Sequence, residues 1–143
     1  MYLSYLIGII VSPLAGKLSN RMGNGAIMAL GAVVFAAALA ATLIKALPAI
    51  AASLAVICAG FFSIHSAAVG SLNRRLSFSR GRANSLYVLS YYFGGFVGIS
   101  LSGYTYLSFG WPGIVAMGAA MLIIPLASGL WEVLTEGNGR AGG

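Results

Sequence analysis

Acidic side chains are nearly missing from this sequence. Its two acids are both glutamates, Glu132 and Glu136, and both lie beyond the last apolar run. A carboxylate site for a proton or cation is therefore expected elsewhere than within the apolar runs. Charge of either sign is scarce: 7% of residues carry it, against about 25% in an ordinary soluble domain. A surface so poor in charge does not stay dispersed in water, which makes the bilayer the expected solvent. The single cysteine, Cys58, excludes an internal disulfide and a thiolate metal cluster, and says nothing of redox compartment. There is one histidine, His65. The chain has no phosphate-binding Walker loop, no grouped metal ligands and no nucleophile–base set. It is read as no enzyme, with no cofactor and no metal.

What the sequence does have is apolar length. Hydrophobic residues make up 59% of it. They fall into runs over 1–14, 26–44, 48–73, 84–110 and 113–131. A helix needs about 20 apolar residues to cross a hydrocarbon core about 30 Å thick. The first run is short. It is read as a span cut short at its start, or one beginning in the interface at Tyr2 and Tyr5, where aromatic residues anchor. It has no basic leader, so it does not read as a signal peptide. Barrel strands alternate over about 10 residues, whereas these runs are continuous, and strands would leave open edges in lipid. The expected fold is all-α, a polytopic membrane bundle of about five transmembrane helices. The remainder, 132–143, is polar and glycine-rich and is expected to be a disordered tail.

The net charge of +6 does not point to nucleic acid, because the basic residues sit in gaps between runs and form no stripe. They read as topology signals and contacts to anionic lipid. Lys17, Arg21, Arg74, Arg75, Arg80, Arg82 and Arg140 fall on one side and Lys45 on the other. The positive-inside rule then puts both basic loops and the C-terminus in the cytoplasm.

Polarity is uneven among the runs. The third holds Ser53, Ser63, His65, Ser66 and Ser71, and the fourth holds Tyr91, Tyr92, Ser100, Ser102 and Tyr104 among others. The second and fifth are almost wholly apolar. Polar groups at membrane depth face a bundle interior or a wet cavity. So runs three and four are expected toward an interior, and runs two and five toward lipid. In the fourth run Tyr87, Tyr91, Gly94, Gly98 and Ser102 share one helical face. Gly94 and Gly98 form a GxxxG pair, which reads as a packing face, with a gating hinge as the alternative. His65 shares its face with Phe61. It reads either as a structural hydrogen bond to a neighbouring helix or as a substrate contact or proton relay. Tyr91 and Tyr92 join it as candidate substrate contacts, since an aromatic body with a hydroxyl suits an amphipathic solute. They are adjacent, so one of the two is expected to face the solute.

Between the first two runs stands Gly16-Lys17-Leu18-Ser19-Asn20-Arg21-Met22-Gly23. This resembles the loop motif of the major facilitator superfamily: glycine, three residues, aspartate, arginine, one residue, glycine, then basic residues. Gly16, Arg21 and Gly23 match. Asn20 replaces the aspartate, and Asn24-Gly25 replaces the basic pair. These departures resemble the weaker copy of the motif in the family's second half, and Asn20 forms no salt bridge. Arg80-Gly81-Arg82-Ala83 resembles the stretch entering the fifth helix of a half. The resemblance implies helices eight to twelve of a twelve-helix secondary transporter. Gly16, Asn20, Arg21 and Gly23 would form its cytoplasmic gating loop. The texture is similar to bacterial drug:proton antiporters and sugar-efflux permeases of the inner membrane. The implied partners are membrane lipid, a small-molecule substrate, protons, and a missing N-terminal half or partner chain. Two other readings stay open: a non-catalytic membrane subunit pairing with a separate half, and an inactive truncated fragment.

Overall fold

The computed structural model describes residues 3–76 and 79–141, with side chains over 6–74, 76, 79 and 81–135. Tyr2, Tyr5, Arg75, Arg80, Glu136 and Arg140, which carry parts of the topology and anchoring readings, fall outside the described side chains. Among the described residues every regular element is a helix: α1 (Leu3–Met22), α2 (Asn24–Ala41), α3 (Leu47–Arg75), α4 (Arg80–Met121) and α5 (Ile123–Ala141).

The connections follow from local chemistry. Gly23 alone separates α1 from α2, at φ 88 and ψ 154. That is backbone a side chain would strain, which is why glycine turns the chain there. Its N–H donates to Ser19 O at 2.9 Å. Pro48 stands in the first turn of α3, where a missing N–H costs nothing. Within α4, Gly110 has φ 64 and ψ −158, and Pro112 follows. The helical stretch over 80–109 ends there and another begins. Leu122 stays right-handed, at φ −72 and ψ −10, so α5 carries on from the end of α4 with only a local irregularity. At this corner the Trp111 indole N–H donates to Thr42 Oγ1 at 3.0 Å, and the Thr42 hydroxyl donates to Leu39 O at 2.6 Å. The end of α2 is thereby tied to the turn after Gly110.

Packing is organised around α2. Lipid tails are as apolar as leucine, so helices in a bilayer are held by close fit rather than by hydrophobic burial. Two glycine contacts provide that fit. A Cβ built on Gly31 would lie 3.1 Å from Gly60 O, and one on Gly60 would lie 2.9 Å from Gly31 O, marking where α2 crosses α3. Gly25 and Gly129 do the same for α2 and α5, each Cβ falling 2.6 Å from the other's carbonyl oxygen. Ala15, Ile27, Met28 and Ala67 fill the small core between α1, α2 and α3. By contrast α4 touches the rest of the chain along little of its length.

This arrangement departs from the sequence-based expectation in three ways. The run expected to face lipid, now α2, is the most enclosed helix. An apolar run rich in Gly and Ala suits protein contact as well as lipid contact, so its composition could not tell the two apart. Residues 15–22, expected in a loop, complete α1. Beyond Trp131 the chain continues as helix to Ala141. Among the described residues three stretches are long and apolar enough to cross a membrane: Asn24–Ala41, Leu47–Arg74 and Gly81–Thr135. The last, of 55 residues, contains the Gly110 corner. At about 1.5 Å per residue it exceeds one crossing of a core about 30 Å thick.

Candidate functional site in the α3–α4 aromatic cluster

Phe61 and His65 stand one turn apart on α3, and Tyr87 and Tyr91 one turn apart on α4. Residues at that spacing share a face, so two short ladders meet between the helices. The Tyr87 hydroxyl and His65 Nδ1 are 2.9 Å apart, a hydrogen bond whose donor depends on the imidazole tautomer. Phe61 stacks on the imidazole with ring centres 5.9 Å apart and planes 17° apart. The Tyr91 ring lies 5.4 Å from His65 and 6.3 Å from Phe61. Tyr92 reaches the group only through Tyr91, edge-on at 5.5 Å, and is 69% exposed. The structure thus brings His65 and Tyr91 together and leaves Tyr92 on an outward face. The cluster offers aromatic faces, phenolic hydroxyls and an imidazole with one nitrogen engaged. That set suits a flat or amphipathic solute.

Tyr87, assigned from the sequence to a packing stripe, supplies the bond to His65. Its position four residues before Tyr91 was the available signal. Glu132 was placed by the sequence in the tail. It is instead buried, 6% exposed, and accepts from Ser71 Oγ, which lies 2.9 and 2.8 Å from its two oxygens. With Tyr87, Ser71, Met28 and Trp131 it lines a cavity of about 660 Å³. A carboxylate is therefore present inside the bundle after all. Its spacing from Gly129, one turn earlier on the buried face of α5, was the signal that could have found it.

The loop-motif residues sit at the joined ends of α1 and α2. Asn20 and Arg21 are exposed and helical, and Gly23 is the turn. Gly16 and Asn20 line a polar pocket of about 290 Å³ with Ser19, Asn24, Gly70 and Arg74. In that pocket Ser19 Oγ and Asn24 Nδ2 are buried without a hydrogen-bond partner among the described residues. A Cβ built on Gly94 or Gly98 meets nothing within 4 Å. Their face of α4 is open among the described residues. Among the described residues no His, Cys, Asp or Glu are grouped to hold a metal ion.

The family model of the Major Facilitator Superfamily matches residues 1–140. The inner membrane transport protein YnfM of Escherichia coli (strain K12) is 38% identical over 127 residues, which are 89% of this chain and 30% of that protein. The uncharacterized MFS-type transporter YybF of Bacillus subtilis (strain 168) is 29% identical over 126 residues, 88% of this chain and 31% of that protein. An uncharacterized transporter of Buchnera aphidicola subsp. Baizongia pistaciae is 31% identical over 110 residues, 77% of this chain and 27% of that protein. The chain spans about a third of the length of these curated relatives. No solved structure matches it. With a family model covering nearly every residue, the chain belongs to the major facilitator superfamily.

Proposed function

We propose that this chain is the C-terminal part of a secondary active transporter that moves a small solute across the bacterial inner membrane by alternating access. It would act within the drug:proton antiport and sugar-efflux branch. The α3–α4 cluster carries this reading: an imidazole and tyrosines meet at membrane depth, beside a face of α4 that the chain leaves open. His65 and Tyr91 contact the solute, and Tyr92 joins them once the remaining helices are in place. Protons are the coupling ion. Gly94 and Gly98 pack against a helix of the missing N-terminal half or of a partner chain. Gly16, Asn20, Arg21 and Gly23 brace the cytoplasmic ends of α1 and α2 during rocking. The chain crosses the bilayer five times and ends in the cytoplasm.

The test is flux in proteoliposomes holding this chain together with the first seven helices of a relative such as YnfM, against a panel of amphipathic dyes and sugars. The expected result is flux of at least one solute, lowered about tenfold by Tyr91→Ala, the scale of about 1.4 kcal/mol lost from binding. Flux that is indifferent to both Tyr91→Ala and His65→Ala would remove the cluster from the pathway. The open face of α4 also suits a second reading, a non-catalytic subunit that pairs with a separate half. Under that reading assembly survives and flux is absent.

A further inference from the structure

A trough of about 590 Å³ lies between α1 and the α2–α3 pair, away from the aromatic cluster. Most of its wall is apolar: Leu14, Leu18, Ile27, Leu30 and Val34. All of these except Ile27 are exposed, so the trough opens sideways rather than into the bundle. One end differs. Lys17, Asn20 and Arg21 close it, all three exposed. Neither cation has an ion-pair partner among the described residues.

The dimensions fit one leaflet. From Arg21 back to Val11 the trough follows ten residues of α1, about 15 Å at 1.5 Å per residue. That is half of a hydrocarbon core about 30 Å thick. The basic end then lies at head-group depth and the apolar end near the bilayer centre. The charge fits as well. Two cations with no acid beside them among the described residues attract a net anion, whereas a zwitterionic head group would bring its own cation to the same place. Asn20 also lines the adjoining polar pocket, where Ser19 Oγ and Asn24 Nδ2 await partners. Polar groups thus continue past the phosphate position, toward where a head-group hydroxyl would reach.

We propose that this trough binds one anionic phospholipid, its phosphate on Lys17 and Arg21 and one acyl chain along Leu18, Leu14, Leu30 and Val34. Such a lipid ties α1 to α2 across the single-residue turn at Gly23. The site depends neither on solute binding nor on the cluster.

The test uses the chain in bilayer nanodiscs with a photoactivatable phosphatidylglycerol, and mass spectrometry to map the crosslinks. Crosslinks are expected on the trough-facing residues of α1 and α2. Unlabelled phosphatidylglycerol should compete them away, and phosphatidylcholine and inorganic phosphate should not. Lys17→Gln and Arg21→Gln should each lower capture about fivefold, the weight of one cation near an anionic surface. Leu30→Trp, which fills the trough and leaves its charge alone, should also lower it. Crosslinks spread evenly over the lipid-facing helices would overturn the proposal. So would equal competition by phosphatidylcholine or by phosphate, capture unchanged in all three variants, or chain-to-chain crosslinks at the trough.

Discussion

At the scale of single residues, the Tyr87–His65 hydrogen bond links two helices that otherwise touch little. Hydrogen bonds between membrane helices average about 0.6 kcal/mol. Tyr87→Phe should cost about that much in reversible unfolding followed in mixed micelles, with the stacking of Phe61 retained. If the imidazole relays protons, His65→Ala should flatten the pH profile of flux in the reassembled transporter. An unchanged profile would leave His65 a structural role. Tyr91→Ala should lower solute affinity more than Tyr92→Ala, because Tyr92 meets the cluster only through Tyr91. The sequence makes His65, Tyr91 and Tyr92 legible as candidates, since polar groups at membrane depth need a reason, but not which of the two tyrosines stands beside His65. Glu132 was not legible. It follows the last apolar run, where composition signals an end, and only the continued helix of α5 turns its carboxylate onto Ser71.

At the scale of helices, what decides the packing is where backbones come close. A side chain at Gly129 would run into the Gly25 carbonyl and Ala29. Overpacking of this kind costs about 1–3 kcal/mol, so Gly129→Val should part α5 from α2. A cysteine pair across the two helices that crosslinks before the substitution and not after it would report the separation. Gly94→Ala should behave differently. Its added methyl meets nothing within 4 Å, so the stability of the chain alone should stay within about 0.5 kcal/mol. Under the proposed function, co-purification with the part of YnfM that this chain does not match should fall. The helical class could be read from run length and the absence of alternation. The neighbour of each run could not, because lipid and a glycine-lined helix ask for the same apolar composition. That is why α2 proved central, and why composition did not tell that the face of α4 carrying Gly94 and Gly98 stands open among the described residues.

At the scale of the whole molecule, the orientation reading places the loop after α3 and the end of α5 on the same side. Single cysteines replacing Ser79 and Asn138, in a Cys58→Ser background, should both react with an impermeant maleimide from the cytoplasmic face only. Labelling of the two from opposite faces would count against five crossings. The Gly110 corner also has an optical consequence. The chain has two tryptophans, and the corner sets Trp111 at the start of the helical stretch that carries Trp131 about two thirds of the way along. About twenty residues of helix separate the indoles by about 30 Å, close to the thickness of the hydrocarbon core. One of them is fixed by its bond to Thr42. The protein therefore contains its own depth gauge: quenching by lipids brominated at successive acyl carbons should show two emitters, one beneath each membrane surface, and the difference in their depths reads out the tilt of the final helix without any attached probe.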